Sequence, residues 1–287
     1  MQFKCLTTEM LSFRLGHDPE IDPDWFVAHL DDIIRYNPDG CFALCDDDRV
    51  IGMVTSTVYE QTGWLGWLFV LQEYRGQGLG AKLMKKAIDH VQSRGIKTML
   101  LEAVVEAVTL YRRLGFVEQF HTQHYLLSPD NLAPASNQVV ETSAVAAADV
   151  ETLAAFDRRF FNEDRQSLFQ IVFGNANFRG YIARSGTEIV GFLITTEAAE
   201  NQQVSPMIVN LSHPRAADAI QALVAAALKA CPKPLYFRCP LLTEGYGDTL
   251  TGLGATKVDY HTVRMYLGEP YKTEQKGMLS LGCPGKG

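Results

Sequence analysis

Three glycines alternate behind an arginine in "EYRGQGLGAKLM", Glu73 to Met84, and an apolar run at helical spacing follows them. Amide N–H groups at a helix start have no intrahelical partner, and the aligned peptide dipoles make that end positive. Glycine at 76, 78 and 80 removes the Cβ atoms, so an anion can approach the backbone closely. Arg75 adds a full positive charge in a fork suited to phosphate. The chemistry on offer is binding of a diphosphate to backbone donors without a metal ion. Two other readings compete with it. One is a tight turn with no ligand. The other is a dinucleotide site, since Gly76, Gly78 and Ala81 satisfy G-x-G-x-x-A and Glu102 lies where a ribose-binding acid belongs. Against the dinucleotide site, "LQEYR" separates the preceding strand from the first glycine, and a hairpin lies upstream.

Such a loop needs a strand before it and a helix after it. "GWLGWLFVL" is an apolar strand of the kind buried on both faces. After the glycines, Leu83, Met84, Ala87, Ile88 and Val91 fall on one face of a helix of about 14 residues, which Gly95 stops. "TMLLEAV" reads as the next strand and "EAVTLYRRL" as a short helix capped by Gly115. Upstream lie a strand near Phe3 to Leu6 and a helix from Pro23 to Arg35. "CFALCDD" and "RVIGMVTSTVYE" form a hairpin turned at Asp46, Asp47 and Asp48. The fold class is α/β (α+β), with antiparallel and parallel pairing in one sheet.

The plan occurs twice. "RVIGMVTST" resembles "EIVGFLITT", placing Gly52 opposite Gly191 (191 − 52 = 139). "RRLGFVEQ" resembles "TGLGATKV", placing Gly115 opposite Gly254 (254 − 115 = 139). A shared offset without gaps predicts two copies of one supersecondary unit. The expected lobes are 1–130 and 138–268, joined through "LSPDNLAPASNQ", Leu127 to Gln138. A mobile tail is expected over 269–287.

Composition narrows the function. The 287 residues carry a formal net charge of −7, which argues against a nucleic-acid partner. No run of about 18 apolar residues predicts a membrane span, and the start lacks the pattern of a signal peptide, so a cytoplasmic protein is expected. Six scattered cysteines and the absence of HExxH, CxxC or a Walker lysine loop leave no support for a metal or an ATP site. Cys41 and Cys45 read as reduced strand residues.

"LFVLQEYRGQGLGAKLM", followed by "LYRRLGF", resembles the acyl-CoA signature of the GNAT N-acetyltransferase superfamily. Arg75, Gly78 and Gly80 match that family's R/Q-x-x-G-x-G/A loop. Leu110, Tyr111, Leu114, Gly115 and Phe116 match its later LYxxLGF element. The resemblance implies that acetyl-CoA is the co-substrate, with its diphosphate on the amides of Gly76, Gln77, Gly78, Leu79 and Gly80. The pantetheine arm would pair with the backbone of Leu68, Phe69 and Val70 like an added strand. An amide freed by a strand irregularity near Phe69 would polarise the acyl carbonyl.

The implied reaction is direct attack by a primary amine of a small molecule, with Tyr111 protonating the departing thiolate. An alkylamine is mostly ammonium at pH 7, and freeing its lone pair costs roughly 4 kcal/mol, so Glu102 is the candidate base. Val104 stands where the family often has asparagine. The second lobe resembles the degenerate half of tandem members: Gly76, Gly78, Gly80 and Tyr111 correspond to Arg215, Ala217, Ala219 and Leu250. It is expected to bind no CoA. In that subset Asp157, Asp164 and Arg165 would help enclose the amine, with capping and salt-bridge roles as the alternative. Trp25, Phe26, Tyr59, Trp64 and Trp67 read as acceptor wall or core, and His121 and His124 as solvated strand residues. An acyl-CoA sensor without turnover is the competing function. The amine, the acyl chain length and the oligomeric state stay open.

Overall fold

A computed structural model describes residues 1–15, 22–134, 140–242, 245–271, 277–283 and 285–287. In the first half of the chain the order is β1 (Gln2–Cys5), α1 (Ser12–Leu15), α2 (Pro23–Tyr36), β2 (Phe42–Asp46), β3 (Arg49–Val58), β4 (Thr62–Val70), α3 (Leu79–Ser93), β5 (Thr98–Val104) and α4 (Val108–Arg113). Then follow β6 (Val117–Leu127), β7 (Glu141–Ala144), α5 (Val150–Phe161), α6 (Gln166–Phe173), β8 (Phe178–Ser185), β9 (Glu188–Glu197), β10 (Gln202–Val209), α7 (Ala216–Ala230), β11 (Leu235–Pro240), α8 (Tyr246–Gly252), β12 (Thr256–Leu267) and β13 (Met278–Ser280). The expected elements of the first copy are all present.

The residues divide into two compact units. One comprises Met1–Gln119, Val263–Tyr271 and Cys283–Gly287, and the other Phe120–Thr262 with Lys272–Gly282. The contiguous lobes 1–130 and 138–268 therefore need correction. The division falls inside strand β6 rather than in the Pro- and Ser-containing stretch, whose residues 135–138 lie outside the described residues. The tail 269–287 is also corrected, apart from 272–276 and 284, which lie outside the described residues. Residues 277–283 and 285–287 are buried: Met278, Leu279 and Leu281 carry apolar surface that packing removes from water, and Lys286 is held by Asp32 and Tyr59.

In the first unit the strand order is β1-β2-β3-β4-β5-β12, with β1 through β4 antiparallel to their neighbours and β4 parallel to β5. Helix α3 lays Leu79, Leu83, Met84, Ala87 and Val91 on one face of this sheet, where Ile51, Val54, Leu65, Met99 and Leu101 receive them. Each such aliphatic side chain contributes roughly 1.5–3 kcal/mol. On the other face Phe26, Leu30 and Ile33 of α2 pack against Ala43 and Met53. Asp22 caps α2, its carboxylate accepting from the Trp25 amide at 3.0 Å, and Pro23 fills the first helical position.

The second unit repeats the order as β7-β8-β9-β10-β11-β6, with β10 and β11 again parallel. The offset of 139 recurs at the level of atoms. A Cβ on Gly52 would stand 2.9 Å from the Phe69 carbonyl oxygen, and one on Gly191 2.8 Å from that of Ile208. The Phe116 amide donates to the Tyr111 carbonyl at 3.0 Å, as the Ala255 amide does to Leu250 at 3.0 Å. Both copies thus obey the same backbone constraints.

Candidate active site

Strands β4 and β5 are paired only from Thr62↔Thr98 to Trp64↔Leu100. Beyond that, β4 runs on to Val70 and β5 to Val104 without a ladder between them, which leaves a splayed cleft. The splay follows from an extra residue in β4. Met53 faces Phe69 but Thr55 faces Gly66, and Trp67 takes a left-handed φ of 53°. A bulge of this kind turns backbone amides out of the ladder. The irregularity expected near Phe69 is found, centred on Trp67 and Leu68.

The strand ends over a buried Leu71, whose amide donates to the Ile51 carbonyl at 2.9 Å. A short turn, Gln72–Tyr74, follows, braced by Arg49 on Glu73 at 2.6 Å. Gly76 and Gly78 have φ of 77° and 73°, a region that costs other L-residues roughly 1–2 kcal/mol. A Cβ built at either would meet nothing within 4 Å, so the space above the loop is open. Helix α3 starts with Gly78 as its cap and no side chain over its first amides. Gly80 departs from expectation: its Cβ would point at Leu110 and Leu68, 3.7 and 3.9 Å away, and not toward the loop's open side. Arg75 folds back, its Nε donating to the Val70 carbonyl at 3.0 Å. Among the described residues its guanidinium has no carboxylate partner.

Tyr111 sits on α4 against Phe116, with ring centroids 5.9 Å apart. Burial pushes its phenol up to about 12, and among the described residues the hydroxyl makes no hydrogen bond. It is therefore a protonated donor with spare capacity. Glu102 is placed differently from expectation. Its carboxylate accepts from Arg264 Nε at 2.6 Å, and both side chains are buried. Arg264 also stacks over Trp64 at 4.3 Å. Burial lowers the Arg264 pKa, opposed by the Glu102 charge. The Glu102 carboxylate is therefore engaged by a guanidinium rather than turned to an open face. Val104 is exposed.

On the α2 side of β4, Trp67 lies 5.7 Å from Trp25 and 5.6 Å from Phe26, and Arg14 stacks over Phe69 at 4.4 Å. Among the described residues the indole N–H groups of Trp25 and Trp67 are buried without a hydrogen-bond partner. Orphan donors of this kind are uncommon in a closed core. Tyr59 is buried, its hydroxyl donating to the Lys286 carbonyl at 2.7 Å, and Trp64 is core.

The second unit holds Asp157, Asp164 and Arg165, and their expected place around an amine is corrected. Arg165 Nε and Nη2 donate to Asp157 at 2.9 and 2.6 Å, both side chains fully buried beneath Phe161. Burial pushes the Asp157 carboxyl up, opposed by Arg165. Such a closed pair has no surface for a ligand. Asp164 is exposed and accepts from the Gln166 amide at 2.8 Å, a local capping role at the start of α6. His124 is corrected too: it is buried, its Nδ1 2.7 Å from the Tyr236 hydroxyl, and desolvation lowers its pKa to about 3. His121 is exposed and stacks on His261.

The second unit also shows what fills the counterpart cleft. Met207 and Ile208 of β10, which correspond to Leu68 and Phe69, pair with Ser280 and Met278 of β13. The Val209 amide, counterpart of Val70, donates to the Gly277 carbonyl at 2.8 Å, and Leu281 donates to Arg238 of β11 at 2.8 Å. A strand of the chain itself lies where the first unit is open. Neither β13, Arg264 nor Lys286 was signalled as functional by the sequence, because none sits in a motif.

Residues 7–116 match the Acetyltransferase (GNAT) family and residues 153–279 match a second Acetyltransferase (GNAT) domain. The chain belongs to the GNAT acetyltransferase family, in tandem form. Members of this family use acetyl-CoA as co-substrate. It is 34% identical over 99 residues to N-alpha-acetyltransferase 30 of Schizosaccharomyces pombe, covering 32% of this chain and 66% of that protein. It is 30% identical over 89 residues to spermine/spermidine N(1)-acetyltransferase of Bacillus subtilis, covering 30% and 53%. The matched stretch thus spans half to two thirds of these relatives. A Pyrococcus horikoshii protein of known crystal structure shares the fold with a TM-score of 0.82 at 16% identity, covering 98% of this chain and 94% of that one. Among the described residues no helix is long and apolar enough to cross a membrane, and no group of three or more metal-ligating side chains is found.

Proposed function

We propose that the first unit transfers an acetyl group from acetyl-CoA to a primary amine of a small molecule, by direct attack in a ternary complex. One observation carries this reading. The cleft between β4 and β5 is open beside an uncapped helix start, while the same cleft between β10 and β11 is filled by β13. The filling strand serves as a template for the ligand: an extended arm pairing with Leu68 and Phe69 as β13 pairs with Met207 and Ile208. In this reading the diphosphate lies on the amides of Gly76, Gln77, Gly78, Leu79 and Gly80, with Arg75 alongside. Val70 contributes its amide, since its carbonyl already accepts from Arg75.

The amine nitrogen bonds to the acyl carbon, the C–S bond breaks, and the thiolate takes a proton from Tyr111, which solvent restores. The proton lost by nitrogen leaves through water, since Glu102 is committed to Arg264. Two relatives are named for an α-nitrogen and for spermine or spermidine, and amine nitrogen is their common chemistry. Replacing Tyr111 with Phe is expected to slow acetyl transfer about 10²-fold or more across an amine panel, with CoA affinity unchanged by calorimetry. Unchanged turnover would remove Tyr111 from the mechanism. Tight CoA binding with no turnover on any amine would make the protein a sensor.

A further inference from the structure

The last residues of the sequence fold back into the first unit and carry a lysine into its interior. Lys286 Nζ lies 3.1 Å from Asp32 Oδ2 on α2, with both side chains buried. The Tyr59 hydroxyl holds the Lys286 carbonyl, and the Lys286 amide closes a turn on the Cys283 carbonyl at 3.0 Å. Gly285 packs directly on the β4 bulge. A Cβ built on it would lie 3.3 Å from Trp67 Cδ1, 3.4 Å from Gly66 Cα and 3.4 Å from Thr55 Oγ1. The turn therefore covers the bulge on the side of Trp25, Trp67 and α2, opposite the face occupied by α3.

Three features are unusual together. A buried ion pair pays a desolvation cost that a pair of apolar residues would avoid, so it is weak evidence for a purely stabilising role. The segment is short, and glycine flanks the lysine on both sides, so little apolar surface anchors it apart from Cys283. The wall beside it contains two buried indole N–H donors that lack a partner among the described residues, which is uncommon in a closed core.

We propose that residues 285–287 are an intramolecular occupant of the acceptor side of the acyl site, and that Asp32 is the counter-ion for a cationic group of the acceptor, held in this state by Lys286. This deepens the acetyltransferase reading and rests on it. The acceptor class that follows is an amine with a second cationic centre: one nitrogen reaches the acyl carbon at the bulge while the other displaces Lys286 from Asp32. Lys286 itself is kept from the acyl carbon, since its nitrogen is held against the Asp32 carboxylate. A neutral or anionic amine has nothing with which to displace it.

The test uses the full chain and putrescine and spermidine as probes. Lys286→Met keeps the side chain's length and removes the ammonium from beside Asp32. It is expected to lower KM for both polyamines about tenfold, with kcat and the KM for acetyl-CoA unchanged. Putrescine without acetyl-CoA should raise the melting temperature of Lys286→Met more than that of the wild type. The double variant Asp32→Asn/Lys286→Met should lose that response. Because melting needs no turnover, a chain that fails to acetylate any amine would sink the acetyltransferase reading while the Asp32 site is still read. Polyamine KM and melting response unaltered in Lys286→Met would overturn the occupant. Should that variant misfold, hydrogen exchange on the wild type decides: putrescine should speed exchange of the Lys286 amide, and an unchanged rate contradicts the proposal.

Discussion

In the first unit α3 begins at a left-handed Gly78 with no side-chain cap hydrogen bond among the described residues. In the second, α7 begins two positions earlier in register, also without a side-chain cap hydrogen bond, but with different residues around its start. The Arg215 amide donates to His213 Nδ1 at 3.0 Å, and Asp218, counterpart of Leu79, places a carboxylate in the first turn beside Arg215. That carboxylate already takes the favourable position at the positive helix end, and it would repel a diphosphate. Leu250 stands for Tyr111, and Pro206, which has no N–H, stands for Trp67 at the bulge. What both units keep is what the backbone requires: glycines at 52 and 191 under a neighbouring carbonyl, and the turns at 115 and 254. What only one keeps is what a ligand would require. Duplicated folds separate the two demands, since packing selects for the first in both copies and catalysis for the second in one.

The comparison breaks most readily at the buried pair of the second unit. Asp157→Asn leaves Arg165 buried without its carboxylate, and the expected loss is about 3–5 kcal/mol of stability, read by chemical denaturation. A change in amine KM with stability intact would return these residues to the substrate. Next come the loop glycines. Gly78→Ala forces a Cβ into a φ of 73° and is expected to weaken CoA about tenfold by calorimetry. Gly80→Ala, whose Cβ has ordinary contacts, should change affinity by less than about threefold. Equal losses at both would mean that close approach, not backbone conformation, explains the glycines.

A further effect concerns pH. His124 has its pKa lowered from 6.5 to about 3 in the folded chain, so the unfolded chain binds its proton more readily. Its contribution is fully present above 6.5 and is lost as pH falls toward 3. His124→Gln should flatten that part of the stability profile, and an unchanged slope would remove His124 as the cause.

The loop, its flanking strand and helix, and Tyr111 were legible in the sequence because each rests on local spacing. The helix expected after the glycine loop begins at Leu79, and the repeat offset holds to individual hydrogen bonds. The partner of Glu102 was not legible, since Arg264 is 162 residues away and no period links them. Nor was the tail: "GCPGKG" has the composition of a loose end, and only tertiary contacts to Asp32 and Tyr59 order it. Asp157 and Arg165 fit a motif equally well as ligands or as an ion pair, and burial alone decides between them.

The central claim is that one copy is built for the CoA diphosphate and the other is not. Titrating coenzyme A into the wild type and into Gly78→Asp by calorimetry tests it most directly. A carboxylate at 78 has open space around its Cβ, so beyond the backbone strain it shares with Gly78→Ala it adds a negative charge at the loop. The account predicts one site per chain in the wild type and none in Gly78→Asp. Two sites, or one that survives Gly78→Asp undiminished, would contradict it.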